Sequence, residues 1–119
     1  MALQTIGEGI SAVERMYSFR NESEVREFLG QHPCALPLLV AARPEIERHF
    51  APYYSRVAVV VEKDPEGHSP SELFAIIQCH LDAGEALDKL ATFNRQWWAA
   101  ASFAAHCPVY IDVEYAVQL

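Results

Sequence analysis

Residues 82–117 read DAGEALDKLATFNRQWWAAASFAAHCPVYIDVEYAV, and two apolar periods meet in that stretch. Ala86, Leu87, Leu90, Phe93, Trp97, Ala101 and Ala104 recur at three- and four-residue spacing, which is the stripe of an amphipathic helix. Asp88, Lys89, Thr92, Arg95 and Gln96 fall on its other faces. Asp82 stands where an N-cap belongs, and Glu85 follows at the spacing of a capping box. The pattern predicts one helix from Asp82 to about Ala105. After Cys107-Pro108 the period changes to two. Val109, Ile111, Val113, Tyr115 and Val117 point one way, and Tyr110, Asp112, Glu114 and Ala116 the other, as in a strand with one buried face.

Upstream of the helix lies more strand material. Arg56-Val57-Ala58-Val59-Val60-Val61 is compact and β-branched, and Glu72 to Leu81 forms a second candidate. Between them Asp64-Pro65-Glu66-Gly67-His68-Ser69-Pro70 is rich in turn formers, so the pair reads as a hairpin with a long tip. Strand, long helix, strand then implies a right-handed crossover.

The N-terminal part reads as helical. Ile6, Ile10, Val13 and Tyr17 predict a helix over about residues 8 to 18, with Gly7 and Gly9 weakening its start. Residues 1–22 are expected as a peripheral helix or arm. Asn21 with Glu24 has capping-box spacing, Val25, Phe28 and Leu29 share a face, and Gly30 suits a left-handed stop. A third helix spans about residues 36 to 50. Pro44 inside it costs about 3 kcal/mol. Either that helix kinks, or two short helices meet at Arg43. The expected fold is a single α+β domain over residues 1–119: N-terminal helices, then a β-β-α-β unit whose small three-stranded sheet packs on a long C-terminal helix.

The second face of this sheet is mixed. It offers Ala58, Val60, Phe74, Ile76 and Tyr110 beside Glu62, Gln78, His80, Asp112 and Glu114. Either the N-terminal helices cover it or it meets another subunit.

Charge narrows the function. The net charge is −7. Residues 1–63 carry eight acids against seven bases, and residues 64–119 carry eight acids against only Lys89 and Arg95. An acidic chain without a basic cluster argues against nucleic acid and against an anionic membrane surface. No apolar run approaches the roughly 20 residues of a bilayer span. The first ten residues lack the basic start and apolar stretch of a secretory signal, which points to the cytoplasm. Cys34, Cys79 and Cys107 cannot all pair within one chain, and reduced, mostly buried thiols are the simplest expectation.

Several residues are candidates for chemistry. Asp112 and Glu114 lie two apart on one strand face, and His80 joins them if the second and third strands are neighbours. Such a set could hold a divalent ion or act as acid and base; a solvated or interface-lining acidic face is the stronger reading. Histidine and cysteine adjoin at His32/Cys34, Cys79/His80 and His106/Cys107, but the spacing is not that of a zinc site, so no metal or cofactor is expected. Cys34 or Cys107 beside a histidine could be a nucleophile, with an idle thiol preferred. Trp97 and Trp98 point about 100° apart on a helix. Trp97 continues the stripe of Leu90 and Phe93, which leaves Trp98 at its margin: either the buried face is wide enough to take both rings, or Trp98 is the interface anchor, with Phe74, Ile76 and Tyr110 beside it on the sheet.

The stretch from Ser23 to Tyr115 resembles a group of small bacterial proteins of unknown function. The likeness rests on Glu-Val-Arg-Glu-Phe-Leu at residues 24–29 before His32-Pro33, on Leu73-Phe74, on Trp97-Trp98, and on Ile111-Asp112-Val113-Glu114-Tyr115. It implies a bacterial cytoplasmic protein and transfers no site residues. With no catalytic signature, the expectation is a non-enzymatic interaction or regulatory module that pairs with itself or with another, basic, protein. The alternative is a small metal-dependent enzyme or ligand-binding protein using the acidic strand face.

Overall fold

In the computed structural model, which describes residues 2–115 and side chains from Ile6 onward, the β-branched run forms the sheet's second strand. The chain runs α1 (Ala2–Met16), β1 (Ser18–Phe19), α2 (Glu22–Gln31), α3 (Ala35–Phe50), β2 (Tyr54–Glu62), β3 (Glu72–Cys79), α4 (Ala83–Phe93), a π-helical turn (Asn94–Trp98), α5 (Ala99–Ala105) and β4 (Val109–Glu114). The sheet order is β1-β2-β3-β4. β2 and β3 are antiparallel, and β4 joins β3 in parallel after the helical crossover.

Alternation along each strand sorts the side chains. Val57, Val59 and Val61 of β2, Leu73, Ala75 and Ile77 of β3, and Val109 and Val113 of β4 are buried in one cluster with Val13, Val25, Leu29, Leu39, Ile46 and Phe50 of the N-terminal helices and Phe93 of α4. The helices therefore lie on one side of the sheet, and the other side is left to solvent. Gly9 permits the close approach of α1 to α3, because a Cβ there would stand 2.9 Å from Leu36 Cδ1. Asp82 caps α4 as its sequence predicts, accepting the Glu85 amide at 2.9 Å.

Other expectations change. The sheet has four strands rather than three, because Ser18 and Phe19, read as a break, pair in parallel with Ala58 and Val59. That pairing ties the expected peripheral arm to the sheet edge. α1 begins at Ala2 and ends at Met16. Asn21 forms no cap: its backbone is left-handed, and its side-chain amide donates to Glu24 Oε1 at 2.7 Å. α2 continues through Gly30 to Gln31 and stops at His32. α3 is one helix with exposed Pro44 inside it, not two meeting at Arg43. The Ala51-Pro52 peptide that follows is cis. Ala116 and Val117 of the predicted alternation lie outside the described residues.

The largest correction is covalent. Cys34, before α3, and Cys107, before β4, are disulfide-bonded across Cα atoms 6.1 Å apart, within the usual range for such a bridge. Two of the three expected free thiols are therefore absent. Cys79 stays free and buried, and burial raises its pKa. Among the described residues, no helix is long and apolar enough to cross a membrane.

Candidate functional site

The outer face of the sheet is built in rows set by strand register. Val60, Phe74 and Tyr110 form one row; Ala58, Ile76 and Asp112 form the next; Arg56, Gln78 and Glu114 form a third. Glu62 and Glu72 close the opposite end. The Phe74 and Tyr110 rings stand 5.4 Å apart. Tyr110 is 44% exposed, and Val60, Phe74 and Ile76 are half-buried. A bond between Tyr110 and Glu72 holds the tyrosine pKa above its ordinary value. The row is thus apolar and aromatic in the middle of a face that none of the described helices covers.

One long-range ion pair crosses this face. Arg20, just beyond β1, meets Glu114 Oε2 on β4 at 3.0 Å, and Gln78 donates to Glu114 Oε1 at 3.2 Å. β1 and β4 are the two edge strands, so the pair spans β2 and β3. Ala58, on the same face, is only 1% exposed. Among the described residues, Arg56, Glu62 and Glu72 enter no ion pair.

Tyr110 is shared with an adjoining groove of about 700 Å³, lined also by Asn94, Trp98, Ser102, Phe103 and His106. Phe103 is 77% exposed, far more than a core phenylalanine, and its ring stands 5.6 Å from that of His106. Groove and sheet face together present Phe103, Tyr110, Phe74, Val60 and Ile76.

The structure distributes the sequence candidates unevenly. Asp112 and Glu114 do share the outer face, but Glu114 is engaged by Arg20 and Gln78, and Asp112 Oδ1 accepts the Val113 amide at 2.8 Å. His80 lies past the end of β3, exposed, with its amide bonded to the Tyr53 carbonyl. The described residues contain no group of three or more histidines, cysteines and acids arranged to hold a metal. Cys34 and Cys107 are bonded to each other, which removes both as nucleophiles in this form. Phe74, Ile76 and Tyr110 occupy the outer face as expected.

Trp98 does not. It is 6% exposed and belongs to the core, while Trp97 is the half-buried residue. The π turn supplies the reason. Its wider winding inserts one residue into the helical repeat, so the buried position after Phe93 falls five residues on rather than four. Further along, Ala105 packs against the core and Ala104 is exposed, while Ala101 keeps its expected place against the core.

Two polar arrangements were not foreseen. His49 Nδ1 bonds the Glu45 carbonyl at 2.8 Å and Nε2 meets Gln96 Oε1 of the π turn at 3.0 Å, with the imidazole edge-on to Phe93. A groove of about 290 Å³ beside it is lined by Arg48, Asp88, Lys89 and Thr92. Arg43 lies between the rings of Tyr17 and Tyr54, 5.7 and 5.4 Å from their centroids, with Nη1 buried and unpartnered. Tyr17 donates to the Leu39 carbonyl at 2.6 Å, and burial pushes its pKa well above the ordinary tyrosine value. The first ties α3 to the π turn, and the second ties α3 to the end of α1 and to β2; neither carries a sequence signal, because each depends on tertiary contacts between separate elements. Comparison with protein-family models, with curated proteins and with solved structures finds no match for this chain.

Proposed function

We propose that this chain is a non-enzymatic protein-interaction module that works as a homodimer through the outer face of its sheet. One observation carries the reading: the sheet buries one face under helices and leaves the row Val60–Phe74–Tyr110 open on the other. A contiguous, partly exposed apolar row of this kind marks an interaction site. Asp112 and Glu114, the carboxylates proposed for chemistry, are held by structural bonds, so the face offers contact area rather than acid–base chemistry. Sedimentation equilibrium on the purified chain tests the reading. A dimer that Tyr110→Asp or Phe74→Asp dissociates supports it, and a monomer at every concentration up to several hundred micromolar overturns it.

A second reading keeps the module and changes the occupant. Glu62 and Glu72 lie side by side at one end of the face and enter no ion pair among the described residues, which suits a basic partner protein. A monomeric chain that co-purifies from its host with a basic protein, and loses it on Tyr110→Asp, favours this version.

The proposal includes the group of small bacterial proteins that residues 23–115 resemble, and the cytoplasm as the compartment. The Cys34–Cys107 bond makes the compartment testable, because disulfides persist in oxidising spaces and are rare in the cytosol. Acid-quenched cells, alkylated and analysed by mass, are expected to show a reduced pair; a fully oxidised pair argues for an oxidising compartment.

A further inference from the structure

We infer that the outer face is its own complement across a twofold axis that lies in the interface plane, perpendicular to the strands, between the row Ala58–Ile76–Asp112 and the row Val60–Phe74–Tyr110. The inference rests on the homodimer reading above and adds its geometry. Such an axis reverses strand direction and keeps each strand opposite its own copy. Two sheets packed this way lie face to face about 10 Å apart, with strands within about 30° of antiparallel.

The registers then fix what meets what. Arg56 stands three rows from Glu62 on β2, so the two exchange across the axis, and Arg56 faces Glu62 of the partner subunit. Gln78 faces the partner's Glu72, since the same three rows separate them on β3. Phe74 packs on the partner's Ile76, and Asp112 meets the partner's Tyr110 rather than another carboxylate. Among the described residues, each copy thus offers a cation in no ion pair at one end of the face and carboxylates in no ion pair at the other, and the axis brings opposites together. Isologous dimers need this self-complementarity.

The rival face-to-face axis, parallel to the strands along β3, does worse. It sets Glu72 against the partner's Glu72, and like charges across an interface are penalised.

Charge reversal tests the axis on the whole chain. Arg56→Glu alone and Glu62→Arg with Glu72→Arg are each expected to weaken the dimer at least tenfold, and an equimolar mixture of the two variants is expected to form a heterodimer near wild-type strength. Arg48→Glu on α3, with the same change in net charge, is expected to leave the dimer intact. Arg56→Ala repeats the first measurement without a new charge. If the wild type dimerises and Tyr110→Asp dissociates it, yet the Arg56 and Glu62/Glu72 variants dimerise normally or the mixture gives no rescue, the axis is wrong while the homodimer reading stands. A wild type that never dimerises ends both.

Discussion

Phe93 and Trp98 stack with ring centroids 6.4 Å apart and planes 19° from parallel, although five residues separate them on one helix. In a regular α-helix, residues five apart point about 140° away from each other. The π turn Asn94–Trp98 closes that gap and brings both rings to the core.

The adjacent tryptophans should therefore respond unequally to truncation. Trp98→Ala is expected to cost about 3–5 kcal/mol, the usual loss for a buried aromatic. Trp97→Ala, which removes a half-buried ring, should cost less than about 2 kcal/mol. Urea unfolding followed by circular dichroism measures both; equal losses would contradict the helical register described above.

Replacing both Cys34 and Cys107 by serine is expected to lower stability by about 2–4 kcal/mol, because the bridge constrains the unfolded chain. Dithiothreitol should reduce the wild type by a similar amount and leave the double variant unchanged. Denaturant midpoints with and without reductant settle this.

Tyr17 supplies a pH signature. Its buried hydroxyl is held neutral, so its folded pKa is raised while the unfolded side chain ionises near pH 10. The stability it contributes is fully present below about pH 10 and is lost as pH rises from there toward the folded pKa. Tyr17→Phe should cost about 1 kcal/mol at pH 7, from the lost bond to the Leu39 carbonyl. It should also flatten the alkaline decline. Unfolding free energies at several pH values between 7 and 11 compare the two slopes.

Divalent ions separate the interaction reading from a metal-dependent one. A ligand that prefers the folded state raises the melting temperature. Magnesium, manganese, calcium and zinc at millimolar concentration are each expected to leave it unchanged; a rise with one ion that Asp112→Asn abolishes would restore the acidic face as a metal site.

Local pattern made part of this legible in the sequence. The valine alternation at residues 57–61 and the Asp82 cap are short-range signals, and the hairpin, crossover helix and last strand follow from them. The outer face was legible too, since Phe74, Ile76 and Tyr110 follow from alternation once strand identity is known. What was missed depends on partners distant in sequence. Ser18-Phe19 is a strand only because β2 offers it an edge. Arg20 finds Glu114 across 94 positions, and Cys34 finds Cys107 across 73. The Trp97/Trp98 assignment failed for a different reason: a single extra residue in the helical repeat rotates everything after it, and apolar content on both sides of the step hides the change.

The covalent link between Cys34 and Cys107 also divides the chain mechanically. α3, β2, β3 and the long helix lie inside the closed loop, while α1, β1, α2 and β4 lie outside it. Tension applied at the two termini of the oxidised chain can extend only the outer segments. The 73-residue loop withholds roughly 250 Å of contour length, at about 3.5 Å per residue, until the bridge is reduced.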